Sequence, residues 1–562
     1  MARVLIIGLD GADPNACERW MGEGRLPHLQ RLSRRGVFCR LRSTIPPATF
    51  PAWTTFMTGM NPGRHGLFDF TRKLPGRYAV EFVNSTLRRA PTLWRLLSDA
   101  GLRVGVMGLP ATYPPERLNG FQIGGFDSPV ATRIARSFVE PSELYGEIDR
   151  RFGFYDIAPF QELDIRPGWH RRALPALLAN LERKAEVALY LLGRERWDCF
   201  MALFGEIDTV SHHFWMFCDS SSPRYDAAGA QDLGDAIGRV YQSLDSVVGR
   251  MIEAAGQDVD SLVVSDHGFG GAGDRALYLN RWLAEQGWLA FKGGGGGGLA
   301  RLARRIGPTF VPQRLQEALF RLAGGKLARD IESRARFGAI DWPQTLAYSE
   351  ELNYFPSIRL NIQGRDPLGA LPAHGVGAFV EQLREAFSRW KDPETGEPYV
   401  ARVHRREDLY AGPYVEEAPD LALELNLDRG YSYVCLQSLP GGGLAARKLR
   451  REELPGAKNR GMNGSHRPEG ILLAAGPGIR PGAAARSAGL EDLAPTILSL
   501  LGVSGGQVMD GLALTEVLVA PPAADAPTDL GAAKPEEAPT REYTAEEQQE
   551  IRRRLKSLGY LD

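Results

Sequence analysis

Long apolar runs are missing from this 562-residue chain. No stretch approaches the about 18 residues that a bilayer-crossing helix needs, so no transmembrane segment is expected. Charge of one sign is missing too: Lys and Arg total 67 against 68 for Asp and Glu, a formal net charge of -1. Without a global field for polyanions, stable nucleic-acid binding is not expected. Cysteine is scarce, and Cys17, Cys39, Cys199, Cys218 and Cys435 are scattered and form no CxxC pair. That excludes a zinc ribbon or dithiol couple and fits buried thiols in a reducing compartment. The opening Met-Ala-Arg runs straight into residues 4–7, too short an apolar run for a signal-peptide core, and no cleavage pattern follows. A cytoplasmic protein is expected.

Apolar residues make up 43% of the chain, enough to fill a large interior. Short, nearly all-apolar runs at 3–8, 103–108, 198–204, 261–265 and 470–474 read as strands buried on both faces. Helical spacing lies between them, at 27–34 before Gly36, at 92–100 before Gly101, and at 173–192. This alternation predicts an α/β fold around a mostly parallel sheet. Six consecutive glycines, 293–298, read as a linker that opens an inserted cap, with a helix at 376–390 and strands near 357–362 and 420–425. The expected organisation is a catalytic core in two parts, 1–292 and 461–519. The linker and cap or accessory region span 293–460, and a Pro/Ala-rich linker with a C-terminal helix at 544–558 spans 520–562.

The candidate functional residues gather where strands end. Asp10 follows the first strand in Gly-Leu-Asp-Gly, where a carboxylate points into the cleft of a parallel sheet or caps a turn. Thr49 precedes Pro51, which suits a first helical turn. Its hydroxyl there either caps the helix or, beside the positive helix end, attacks a bound phosphoryl group. Asp208 and His212 are four apart after the strand at 198–204, sharing a face if helical, with His213 turned about 100° away. They make a metal-binding pair or a surface ion pair. Asp266 and His267 follow the strand at 261–265, and His466 precedes the strand at 470–474, where alone it reads as a loop histidine. Together, three carboxylates and three imidazoles are the donor set of two zinc-like ions.

These residues resemble the alkaline phosphatase superfamily, most closely its type I phosphodiesterase and nucleotide pyrophosphatase branch. The resemblance runs through Gly8-Leu9-Asp10-Gly11, Gly24 to Leu29, Thr49-Phe50-Pro51, Thr58-Gly59, Pro62 and His65-Gly66, Asp208 with His212, Ser265-Asp266-His267-Gly268, His466, Leu493 to Leu498 and Met509-Asp510-Gly511. It implies an alkaline-phosphatase-like α/β/α sandwich with an inserted cap. It also implies two divalent ions, zinc or alternatively manganese. Asp208, His212 and His466 would hold one and Asp10, Asp266 and His267 the other, with Thr49 at the metals as the nucleophile forming a phosphothreonyl intermediate. The implied activity is hydrolysis of phosphodiester or pyrophosphate bonds in a small-molecule phosphate ester or nucleotide.

Relatives of that branch carry an asparagine shortly after the His-Gly pair, whereas here Leu67-Phe68-Asp69-Phe70-Thr71 follows Gly66. The missing amide leaves two alternatives open, a phosphomonoesterase or a phosphotransferase. A non-enzymatic, metal-stabilised binding protein is a third. No cysteine lies in a Cys-x-Pro-x-Arg context, which disfavours a sulfatase. Arg72 and Arg467 are candidate anion partners or solvated surface arginines.

Overall fold

The computed structural model describes residues 3–126, 138–153, 168–292, 337–351, 356–441, 443–455, 462–484, 488–505 and 508–520. The glycine run and the C-terminal helix expected at 544–558 lie outside the described residues. Eight strands build the main sheet: β1 (Val4–Leu9), β2 (Val37–Arg42), β3 (Val104–Leu109), β4 (Gly120–Gly124), β5 (Val139–Glu140), β6 (Cys199–Phe204), β7 (Asp260–Val264) and β8 (Glu469–Ala475). Their spatial order is β2-β8-β7-β1-β6-β3-β4-β5. β1 pairs in parallel with both β6 and β7, and β3 in parallel with β6 and β4. β8 and β5 run against their neighbours.

The two-residue side-chain period divides this sheet into two cores. Leu5, Ile7, Phe200, Ala202 and Val263 face one side, against helices Trp169–Arg194, Glu206–Cys218 and Ala236–Ala255. Val4, Ile6, Met201, Leu262 and Leu472 face the other, against helices Thr49–Thr58, Leu93–Asp99 and Leu493–Leu501. A sheet apolar on both faces is stable only with helices over each, which produces the α/β/α sandwich. The helix expected at 173–192 is longer, Trp169–Arg194, because Trp169 and His170 pack on His213 and Phe214 and extend the buried face by a turn.

A second, antiparallel sheet joins Ala347–Tyr348, Ser357–Leu360, Leu421–Leu425 and Val400–Arg405, in that order. Helix Val376–Arg389 packs into the same core through Phe379, Leu383 and Phe387. Strands Tyr431–Cys435 and Ala446–Lys448 pair instead with strand Gly268–Leu277, which leaves the main sheet just after β7. Strand Gly464–Arg467 also pairs with Gly268–Leu277, antiparallel, setting His466 opposite Phe269. The hairpin of Thr71–Lys73 and Val80–Phe82 ties the two lobes: the Tyr78 ring stacks 3.5 Å from Trp342, and Lys73 pairs with Asp366 at 2.5 Å. Among the described residues no helix is long and apolar enough to cross a membrane.

Helix Pro27–Arg35 has no side-chain cap from Leu26; instead Asp245, from helix Ala236–Ala255, accepts from the His28 and Leu29 amides at 3.1 and 2.8 Å. Asp245→Ala is expected to lower unfolding stability by about 0.5–2 kcal/mol. The check is denaturant unfolding, and an unchanged midpoint would show that the helix end is satisfied without it.

Candidate metal centre

Parallel strands deliver their following residues to one edge of the sheet, and two of the candidate carboxylates arrive this way. Asp10 follows β1 and Asp266 follows the neighbouring β7; the Gly11 amide donates to Asp266 Oδ1 at 3.3 Å, and the Ala12 amide to Ser265 Oγ at 2.8 Å. β6, on the other side of β1, leads into helix Glu206–Cys218, which carries Asp208 and His212. Gly11 lies where that helix crosses: its φ is +75°, and a Cβ would sit 3.1 Å from Asp208 Cα. Only glycine fits without strain.

The donors converge in a dry space. Asp208 Oδ1 lies 3.3 Å from His212 Nε2 and 3.1 Å from His466 Nε2, and the two nitrogens are 3.0 Å apart. His267 Nε2 lies 3.5 Å from Asp10 Oδ1, 3.4 Å from Asp266 Oδ2 and 3.4 Å from Thr49 Oγ1. The His267 and His466 rings stack at 3.6 Å, so the two groups form one continuous cluster. His267 completes a donor trio with Asp208 and His466 as well as with Asp10 and Asp266. All six side chains and Thr49 are buried.

Each imidazole is oriented by a carbonyl. Nδ1 of His212 donates to Gly464 O at 3.1 Å, that of His466 to Pro47 O at 2.8 Å, and that of His267 to Gly268 O at 3.1 Å. In the neutral ring the proton is then on Nδ1, and the Nε2 lone pair faces the carboxylates. Burial pushes His267 well down and His466 down, toward the neutral form. Burial raises the Asp266 carboxyl well above its ordinary range, aided by Asp10 and Asp208, and raises Asp10 with the help of Asp208. Burial also opposes ionisation of Asp208, but His212 and His466 outweigh it and hold that carboxyl well below its ordinary range. Asp10 Oδ1 and Asp266 Oδ2 accept no hydrogen bond from an N–H or hydroxyl donor among the described residues. The like charges of the buried Asp10, Asp208 and Asp266 carboxylates repel when ionised, and divalent cations relieve that repulsion. The donor set fits two such ions.

Thr49 is the first residue of its helix, and Ala48, at the N-cap, makes no side-chain cap bond. The Thr49 hydroxyl thus sits one residue past the N-cap position and faces His267. Trp53, one turn along the same helix, donates from Nε1 to Asp10 Oδ2 at 3.2 Å. The four-residue spacing from Thr49 is the signal in the sequence by which Trp53 could have been found. His213 points away as the helical wheel predicts, 5.0 Å from the Trp169 ring. His65 takes the Leu67 amide proton on Nδ1 and meets Thr55 with Nε2 at 3.1 Å, and burial holds its pKa down to about 3. It is a neutral brace on the Thr49 helix.

The two arginines are engaged elsewhere. Arg72 pairs with Glu81 across its hairpin at 2.7 Å. Arg467 follows His466 on one strand, so alternation turns it to the opposite side, where it donates to Ser432, to Gly430 O at 2.9 Å and to Gly271 O at 3.3 Å. Phe70 packs 4.5 Å from Phe50 and presents no amide.

The family model described as Type I phosphodiesterase / nucleotide pyrophosphatase matches residues 4–435. No curated protein matches the chain. Among solved structures, phosphonoacetate hydrolase from Sinorhizobium meliloti 1021, in complex with phosphonoformate, is similar in fold, with a TM-score of 0.52, 15% identity, and 89% of this chain and 96% of that one covered. Human ectonucleotide pyrophosphatase / phosphodiesterase 5 aligns at a TM-score of 0.49 and 14% identity, over 92% of this chain and 100% of that one.

Because burial and like charge raise Asp10 and Asp266, the metal-free protein loses stability as pH rises through their raised pKa values. Asp266→Asn is expected to raise the melting temperature of chelated protein at pH 8, with the gain shrinking as pH falls toward about 4, where the unfolded carboxyl also protonates. Thermal melts across pH check this; a variant less stable at every pH would refute the repulsion. His212→Ala is expected to lower bound metal and His213→Ala to leave it unchanged, as metal analysis of the purified proteins would read.

Proposed function

We propose, from the premise that the chain belongs to the type I phosphodiesterase/nucleotide pyrophosphatase family and is a phosphoric ester hydrolase of that type, that Thr49 opens phosphodiester or pyrophosphate bonds beside two divalent ions. Asp208, His212 and His466 would hold one ion, and Asp10, Asp266 and His267 the other. Oxygen and imidazole donors suit zinc, with manganese as the alternative. The observation that carries this reading is one buried cluster of three carboxyl groups and three Nε2 atoms, which the Thr49 hydroxyl joins through His267 at 3.4 Å. His466 lies beyond the matched residues and joins the cluster through the pairing of its strand with Gly268–Leu277.

Such ions supply charge stabilisation for the attacking and leaving oxygens and a lowered pKa for the attacking hydroxyl. Thr49 Oγ forms a bond to phosphorus as the bond to the leaving oxygen breaks, and the leaving group takes up a proton. Water then attacks the phosphothreonyl ester, the Oγ–phosphorus bond breaks, and Thr49 regains its proton. One water is consumed per ester. The helix that begins at Thr49 directs its positive end at the phosphoryl group, where anionic charge is stabilised. Trp53 holds Asp10 in place, and the neutral His65 braces the same helix.

The substrate class is a small-molecule phosphate ester or nucleotide. No asparagine lies in the segment 67–71 that follows His65-Gly66, which leaves a second reading, a phosphomonoesterase or phosphotransferase using the same Thr49 chemistry. Arg72, paired with Glu81, and Arg467, bonded to Ser432, are the candidate anion partners in either reading. The five unpaired thiols support a reducing, cytoplasmic location.

The test is hydrolysis of bis-p-nitrophenyl phosphate against p-nitrophenyl phosphate with zinc or manganese, comparing wild type with Thr49→Ala at matched metal content. Diester turnover that is abolished by Thr49→Ala and by chelation, and restored by metal, is the expected outcome. Monoester preference lost with Thr49 would establish the second reading, and activity surviving chelation would remove the mechanism.

A further inference from the structure

The two donor groups are built differently. Asp10, Asp266 and His267 follow two adjacent parallel strands, and the ladder between β1 and β7 fixes their spacing. Asp208 and His212 lie on a helix, whereas His466 arrives on a strand 254 residues further along the chain than His212. That second group therefore depends on whatever fixes the helix to the Met462–His466 segment.

One buried side chain braces that connection from behind. Arg224, in the loop after helix Glu206–Cys218, is 2% exposed. Its Nε donates to Gly273 O at 2.7 Å, and its Nη1 donates to Met462 O at 3.0 Å and to Asn463 Oδ1 at 3.5 Å. Asn463 in turn reaches the helix: its amide donates to His212 O at 2.9 Å and its side chain to His213 O at 3.4 Å. Asn463 O accepts from the Ala272 amide at 2.8 Å, and the next residue, Gly464, provides the carbonyl that orients His212. A Cβ on Gly464 would lie 2.4 Å from Ser211 O, so helix and strand already touch. One guanidinium thus joins the Gly268–Leu277 strand, the segment leading into His466 and, through Asn463, the backbone of His212.

We propose that Arg224 is a positioning residue for the Asp208–His212–His466 half of the site, setting the distance between the helix-borne and strand-borne donors. The other half, held by the main sheet, does not depend on it. This inference rests on the two-ion reading above. A planar fork bonded to carbonyls on separate segments fixes their separation, which the flexible point charge of lysine does less well.

The experiment titrates metal-free wild type, Arg224→Met, Arg224→Lys and Asn463→Ala with zinc, reading stoichiometry by elemental analysis after desalting and affinity by chelator competition. Arg359→Met is the control, since Arg359 is also a buried arginine but bonds Glu350 and Ala418 O in the second lobe. Wild type binds two ions. Arg224→Met keeps one site unchanged and weakens the other about 10–100-fold. Arg224→Lys and Asn463→Ala weaken that same site less, and they carry the test if Arg224→Met does not fold. Arg359→Met lowers the melting temperature and leaves both affinities intact. Two wild-type affinities in the Arg224 and Asn463 variants, or equal weakening of both sites, would overturn the positioning role. A wild type that binds no ion would instead overturn the two-ion reading, and this inference with it.

Discussion

Three carboxyl groups and three imidazoles are buried together, and the rest of the molecule is arranged around the cost of ionising them there. Burying a charge without a partner is among the largest penalties a fold can carry. Asp10 and Asp266 respond by resisting ionisation, while Asp208 ionises against its two histidines. The three carbonyl contacts that hold Nδ1 turn the Nε2 of each ring inward. A site so built is predisposed to metal: the divalent charge replaces a strained contact instead of adding to a satisfied one.

The sheet supplies the rigidity this requires. Strands packed on both faces cannot shift without opening both cores, so the ends of β1, β6 and β7 form a fixed platform. Thr49 approaches from the helical layer on one side and helix Glu206–Cys218 from the other. None of the six candidate donors lies in the second lobe, but it rests on the segments that carry them. Tyr410 donates to Ile45 O at 2.6 Å, just before Thr49, and the Phe70 hairpin is held by Trp342 and Asp366. Loops positioned by a rigid scaffold are where specificity resides, and here the scaffold has two parts.

Much of this was legible in the chain itself. Nearly all-apolar runs marked β1, β3, β6, β7 and β8, because a sheet covered on both faces favours apolar side chains, while β2, β4 and β5 carry more polar residues and do not read as strands. Strand ends marked Asp10, Asp266 and His267, because parallel connectivity delivers them to one edge. The four-residue spacing chose His212 over His213, and the buried contacts of each follow from that helical period. Thr49 was placed correctly at a helix start but left open between capping and chemistry, since a hydroxyl suits both. Arg467 could not be judged from its neighbour His466, because a strand sends adjacent side chains to opposite faces.

The sequence by itself determined the local conformations and the residue types of the cluster, since period, apolar content and turn chemistry act over a few neighbouring residues. Only the tertiary structure decided which donors meet. His466 reaches Asp208 because its strand pairs with Gly268–Leu277, and Arg224 lies between Gly273 and Met462 because three distant segments close around it. Contacts across hundreds of residues are chosen by the packing of the whole sheet and its two helical layers, and no short window of sequence carries that information.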